Sequence, residues 1–374
     1  MSFCKDAIAG ICFSREQTIR QSRRVIFNLY IKEEETFMRY RLLWMWGLFC
    51  AQLLFAQPAT NSDPPPNDGG MAAGEDGEER DIKTEARKLA EAAAAVARGE
   101  AVYRRACEAC HGANGDGNGP AARALDPRPR DFTRGSFKFR STPTGNLPTD
   151  DDLFKSISAG IPRTAMPAWR GLLTERERWD VIAYLKTFSD KFEKWGAGEP
   201  LTIPAEPQAT QESIFEGRQI FKIMECWACH GQKGRGDGPS ASTLKDDWGH
   251  RIKPFDFTIG SYKAGSENAD VYKTFNTGLN GTPMPSYHDD FLYPREGVDD
   301  FSRYQKYYSQ EEINELAGYM KTLPSATELE AMSEADREAL ANKRRWALVH
   351  FVKSLSRKKG LFHTLFLENT DQTR

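Results

Sequence analysis

Residues 104–120 read RRACEACHGANGDGNGP: Cys107, Cys110 and His111 fall within five positions, and four glycines follow. The pattern returns at residues 221–239 as FKIMECWACHGQKGRGDGP, with Cys226, Cys229 and His230. Around these anchors the chain repeats itself. PRDFTRGSFKF recurs as PFDFTIGSYKA, and residues 152–169, DLFKSISAGIPRTAMPAW, recur without gaps at 270–287 as DVYKTFNTGLNGTPMPSY. The two histidines are offset by 119 residues; between the anchors the second copy gains six residues around DDWGHRI and loses seven after DFT. A repeat of this length means two homologous domains in tandem.

Composition narrows the classes. A formal charge of -2 with 28% charged residues gives no basic field for nucleic acid. Of seven cysteines, Cys4, Cys12 and Cys50 lie in the first 50 residues and the rest form the two CxxC pairs, so no disulfide framework is available unless the pairs are themselves CxxC disulfides. Residues 38–56 have the form of a signal peptide: Arg39 and Arg41, then an apolar run from Leu42 to Ala56 that is short for a membrane span of about 20 residues. The competing reading is an uncleaved anchor, since Leu54 is a poor residue before a cleavage site. Phe49 argues against a lipoprotein cysteine at Cys50. Residues 1–37 carry no export pattern and are read as an extension from a start placed too early, ahead of Met38. Removing residues 1–56 leaves the remainder more acidic, because that stretch has more Lys and Arg than Asp and Glu.

Each copy reads as helical with long irregular loops and no convincing period-2 strand. A helical pattern runs from Glu85 to Arg105, a second helix starts near Asp151 or Asp152 with Asn268 capping its counterpart, and Thr174 with Glu177 forms a capping box. Two segments compete as the closing helix of copy two, 309–323 and 343–356. The later one is favoured because KRRWALVHFVKSLS matches ERWDVIAYLKTFS position by position. The expected organisation is then a polar linker at 57–84, domain 1 at 85–195, a Pro-rich extended linker at 196–210, domain 2 at 211–356 with an insertion at 288–342, and a tail at 357–374.

Zinc ribbons set their CxxC pairs about 15 to 20 residues apart, whereas 115 residues lie between Cys110 and Cys226. A redox dithiol calls for a βαβ setting that helical flanks do not provide. Neither accounts for a histidine directly after the second cysteine, twice. Covalent haem does: the thiols add to two vinyl groups and the next imidazole lies beneath the iron. The glycine loops carry one aspartate apiece, too few for calcium.

On these motifs the chain resembles the class I cytochrome c family, in the form of a tandem di-haem periplasmic cytochrome, over Gly99–Ser189 and Gly217 to Tyr287, closing at Trp346–Ser356. The insertion departs from the family pattern. The resemblance implies an all-α fold, two tandem class I cytochrome c domains, each a small helical fold around one covalently bound haem. It implies two haem c groups on Cys107, Cys110, Cys226 and Cys229, with His111 and His230 as axial ligands. A loop methionine closes the far face in such domains. Between residues 81 and 200 the only methionine is Met166 and the only histidine His111. Met284 follows His230 by 54 residues as Met166 follows His111 by 55, and a proline follows each. Met224, Met320, His250, His288, His350 and His363 are poorer candidates by position. Pro120 and Pro239 resemble the family proline whose carbonyl accepts the imidazole N–H. Arg130, Arg163, Arg251 and Lys253 stand either as propionate partners or as solvated charges.

With both axial positions filled, the expected role is outer-sphere electron transfer, as a periplasmic carrier or as the cytochrome subunit of a respiratory oxidoreductase, and not catalysis. The expected partners are redox proteins, a donor and an acceptor; membrane association would come only through an uncleaved leader or a partner. The rival is a di-haem enzyme, peroxidase-like or thiosulfate-oxidising, with one displaceable ligand; a haem-based gas sensor would need an output domain. A chain begun at Met38 is expected to be exported and matured like the full reading frame. An N-terminal peptide from residues 1–37 in the native protein would overturn that start.

Overall fold

The helix that carries the first cysteine pair starts earlier than the sequence suggests. In the computed structural model, which describes residues 75–298 and 300–356, helix α1 spans Glu75–Ala106. Residues 75–84, expected in the linker, are therefore helical. Residues 75–93 are rich in Glu, Ala, Lys and Arg, which favour helix without packing, and Ile82 and Leu89 stay largely exposed. Residues 1–37, the leader 38–56, residues 57–74 of the linker and the tail 357–374 lie outside the described residues.

The first copy continues with α2 (Glu108–His111), α3 (Asp150–Ala159), α4 (Glu175–Lys186) and the short α5 (Lys191–Trp195). The second holds α6 (Gln211–Ile223), α7 (Cys226–His230), α8 (Asn268–Thr277), α9 (Ser302–Gln305), α10 (Gln310–Lys321), α11 (Ala326–Ala331) and α12 (Glu334–Ser354). Among the described residues there is no strand, only one antiparallel bridge between Lys245 and Arg251. Capping boxes start α3 at Thr149 with Asp152, α4 at Thr174 with Glu177 and α10 at Ser309 with Glu312. Asn268 is the first residue of α8, and Glu267 precedes it as the cap position.

Two helix pairs organise the molecule: α1 packs on α4, and α6 on α12. Each crossing is so close that it admits no side chain. A Cβ on Gly99 would stand 1.9 Å from Asp180 O, and one on Gly217 1.9 Å from Ala347 O. The flanking contacts repeat as well. Phe154 stacks on Trp179 at 4.1 Å, and Tyr272 lies against Trp346 at 4.6 Å. Val102, Tyr103, Val181 and Ile182 are buried around one crossing, Ile220, Phe221, Leu348 and Val349 around the other. Each such side chain contributes about 1.5–3 kcal/mol.

The insertion's α10 lies beside α6 without displacing α12 from it. With α9 it brings Tyr304, Tyr308, Ile313, Leu316 and Met320 into the core of the second copy. Trp227, between the two cysteines, is buried against Tyr304, Tyr307 and Tyr308.

The linker 196–210 is irregular, and its Leu201 N–H donates to Ser141 O at 2.8 Å. The described residues belong to one unit, in which the copies touch directly. Buried Arg140 donates to the carbonyls of Thr277 and Gly278 at the C-terminus of α8, where unpaired carbonyls and the helix dipole attract a cation. Lys155 pairs with buried Asp270. Trp248, in the segment gained by copy two, donates to Asp131 Oδ2 at 3.0 Å.

Gly99→Ala is expected to force α1 from α4 and to cost about 1–3 kcal/mol. Gly318→Ala, in the exposed middle of α10 with open space at its Cβ, is expected to stabilise by about 0.5–1 kcal/mol. Denaturant unfolding of the two variants checks the contrast.

Candidate functional site

The CxxCH segments are single helical turns, each fixed by the glycine-rich loop that leaves it. His111 N–H donates to Cys107 O at 2.9 Å, and Gly112, at φ 80°, ends the turn. The loop then doubles back: Gly119 N–H reaches Cys110 O at 3.1 Å and Ala121 N–H reaches Ala109 O at 2.9 Å. A Cβ on Gly119 would lie 2.4 Å from Ala109 O, and one on Gly238 2.4 Å from Ala228 O. Only glycine lets the backbones meet so closely. None of the four cysteines of the two pairs forms a disulfide, and all are half-buried. Burial pushes the Cys107 and Cys226 thiols up to about 12, as expected of sulfur in an apolar wall.

His111 Nδ1 lies 3.0 Å from Arg130 O, and His230 Nδ1 3.0 Å from Phe255 O. A carbonyl only accepts, so Nδ1 carries the proton and Nε2 keeps its lone pair for a metal. Burial also lowers both histidines' affinity for a second proton. Phe132 stacks on His111 at 4.5 Å and Phe257 on His230 at 4.4 Å, each pair tilted by 20°. The rings can therefore scarcely turn.

This corrects the expectation for Pro120 and Pro239. Both are exposed on the outside of the returning loop, while a second pass of chain, Pro129–Arg130 or Pro254–Phe255, supplies the acceptor. Gly117 and Gly236 let that pass approach: a Cβ there would stand 2.8 Å from Pro129 O or 2.5 Å from Pro254 O.

The methionine loops are built alike in both copies. Ile161 N–H donates to Met166 O at 3.1 Å, and Met166 N–H to Thr164 Oγ1 at 3.1 Å. Leu279 N–H donates to Met284 O at 3.0 Å, and Met284 N–H to Thr282 Oγ1 at 3.2 Å. Gly160 and Gly278, both at positive φ, pass against Pro167 and Pro285. In copy one Cys107, Cys110, His111 and Met166 all line one cavity of about 1420 Å³, counted to its open mouth. Its wall is apolar at Leu125, Phe137, Leu153, Ile157 and Val181. Two buried donors in that wall, Arg130 Nη1 and Trp169 Nε1, have no partner among the described residues. In copy two Met284 packs on the same core as Cys226 and Trp227.

The other candidates scatter. Arg163, Arg251 and Lys253 are exposed. His250 pairs with Asp246. His350 is buried in α12 with Ser213 Oγ at 2.8 Å from its Nδ1. His288 holds Arg345 through its carbonyl, Met320 is core, Met224 packs beside Cys226, and His363 is outside the described residues. Sequence reasoning misses two lysines of the cavity wall, Lys138 and Lys263, although both stand at one repeat position in SFKF and SYKA.

Pro120→Ala is expected to change stability by no more than about 0.5 kcal/mol. Gly117→Ala, strained at φ 75° and pressed on the acceptor segment, is expected to lose about 1–2 kcal/mol or more. Denaturant titration of both separates the two loop positions.

Comparison with known proteins agrees with this geometry. Residues 94–185 match the family model described as cytochrome c oxidase, cbb3-type, subunit III, and residues 214–324 match that of cytochrome c. The second match ends at 324, before α12 begins, although α12 is the helix packed on α6. No curated protein matches the chain. A solved chain of the reducing HAO-like protein complex from Kuenenia stuttgartiensis is 38% identical, with a TM-score of 0.55, over 70% of this chain and 96% of that one. Cytochrome c domains imply covalently bound haem. Two such domains, each with its cysteine pair and histidine, make this chain a member of the c-type cytochromes, a di-haem cytochrome c.

Proposed function

We propose that the chain is an exported, periplasmic electron-transfer protein with haem c joined to Cys107 and Cys110 in one copy and to Cys226 and Cys229 in the other. His111 with Met166, and His230 with Met284, are the proposed axial pairs. The observation that carries this reading is the cavity of copy one, where both thiols, a histidine with Nε2 free and a methionine share one apolar wall. Its two unpartnered donors suit a ligand that is apolar in its body and carries acceptors at its edge. Bound haem c supplies a one-electron iron couple. The residues do the rest: the carbonyls of Arg130 and Phe255 keep each imidazole in its ligating tautomer and raise its basicity, and the phenyl stacks hold its plane. The Thr164 and Thr282 hydroxyls brace the methionine loops, so that ligand geometry changes little between oxidation states. Thioether ligation favours the reduced form. Among the described residues no helix is long and apolar enough to cross a membrane. The chain similar to this one belongs to a complex of an HAO-like protein; a redox protein of that kind is the proposed partner.

Cys107→Ala with Cys229→Ala is expected to abolish most haem staining after denaturation, and mass spectrometry of the wild type is expected to find two haems. Met166→His is expected to lower one midpoint potential and leave the other nearly unchanged, because a harder ligand favours the oxidised form. Met166→Ala is expected to create peroxide reactivity absent from the wild type. Ready binding of carbon monoxide or cyanide by the wild type at one site would overturn the carrier reading in favour of an enzyme with a displaceable ligand.

A further inference from the structure

Four arginine and lysine side chains stand in the wall of the copy-one cavity, Arg128, Arg130, Lys138 and Lys263, and of these Arg130 and Lys263 both act on Lys138. Lys263 is the one residue of copy two in that lining among the described residues. It is also the repeat counterpart of Lys138, so one position of the duplicated sequence is presented twice to a single cavity. Neither lysine forms a hydrogen bond or ion pair with a described residue, and Arg130 Nη1 is buried without a partner. Carboxylates act on them without forming an ion pair: Asp246, Asp131 and Asp247 on Arg130, Asp246 on Lys138 and Asp126 on Lys263. Burial together with mutual repulsion pushes Lys138 down to about 8, and burial pushes Arg130 down to about 10.

Unpaired cations in a low-dielectric wall cost stability unless an anion meets them. The position of Arg130 is nonetheless enforced. Trp248, from the segment that copy two gained, lies over its guanidinium at 4.5 Å and anchors on Asp131. Asp247 N–H of the same segment donates to Gly281 O at 3.2 Å, in the loop that ends at Met284. Copy two therefore brings a cation and a clamp to the cavity of copy one.

We infer that Arg130, Lys138 and Lys263 form one site for a pair of carboxylates across the boundary between the two domains, and that the propionates of the copy-one haem fill it. The inference rests on the haem reading above. Apart from Arg128 the wall carries no other Arg or Lys and is largely apolar, so a ligand with two carboxylates on an apolar body has these cations to meet them. The haem then fastens the domains to each other, and a residue of domain 2 sets the potential in domain 1. A cation beside the propionates offsets their negative charge and so favours the reduced form.

The experiment uses the mature di-haem protein with Lys263→Met, Lys263→Arg, Lys138→Met, the double Met variant and the exposed Lys321→Met as control. Lys263→Met is expected to keep two haems by mass. It is expected to shift the oxidised-to-reduced ratio of one haem about tenfold toward the oxidised form, about 59 mV for one electron. The other haem and the control variant should stay nearly unchanged. Lys263→Arg should restore the potential, and the double variant should be non-additive. In a Met166→His background the haem that moves must be the one already shifted. Two haems with neither potential moved by Lys263→Met, or with both moved alike, overturn the shared site. Fewer than two haems in the wild type overturn the haem reading instead.

Discussion

The distance between two helix axes governs everything else in each copy. At Gly99 and Gly217 a Cα stands against the main-chain carbonyl of the opposite helix, an approach that one methyl group would prevent. That closeness sets α4 beside the end of α1, and so sets Val181 and Leu185 into the wall next to Cys107 and His111. It also carries Phe188 and Leu355, beyond the closing helices, onto Gly115 and Gly234 of the loops after the histidines. A wider crossing would move wall and loop apart together. The cavity results from two helices packed without side chains at one point and with large ones around it.

The sequence discloses the parts that depend on side-chain identity. Cys107, Cys110 and His111 are legible because their chemistry needs those atoms at that spacing, and the second copy makes coincidence untenable. The methionine loops are legible through Gly160, Met166 and Pro167 and their counterparts, since a positive φ and a fixed proline leave few substitutes. The fold class follows from capping boxes and helical periods.

The illegible parts depend on backbone path. The acceptor for His111 is 19 residues away and that for His230 is 25 away; the two are Arg130 and Phe255, with no side-chain property in common. A main-chain carbonyl does the work, so the sequence records only the neighbouring Pro129 and Pro254, while the nearer Pro120 and Pro239 offer a more familiar answer. The start of α1 is hidden for a different reason, because residues 81–93 are exposed and no apolar stripe marks them. The closing helix of copy two has a decoy: α10 has a capping box as good as that of α4, and the cytochrome c match ends with it. Packing distinguishes them, since only α12 offers Ala347 and its carbonyl where Gly217 needs a flat surface.

Duplication in tandem puts equivalent residues into unequal surroundings, and the divergence between the copies follows those surroundings. Arg140 corresponds to Gly265. In copy one that position must satisfy the C-terminal carbonyls of α8; in copy two it lies against Asp270, where a Cβ would come within 2.0 Å of the carboxylate. Lys155 and Lys273 are equivalent, yet both turn to the same Asp270, one across the boundary and one within its own helix. Arg130 and Phe255 keep one carbonyl role and differ in everything beyond Cβ: the arginine lies between Trp248 and the cavity, the phenylalanine stacks on Tyr262 at 5.2 Å. At this position copy one thus carries a cation and copy two an aromatic ring, and in copy two Trp227 and the tyrosines of the insertion share the core on which Cys226 packs. Charge in a wall discriminates between oxidation states and rings do so far less. The duplicated site is therefore built as two unlike halves, which differ at the residues that meet across the domain boundary.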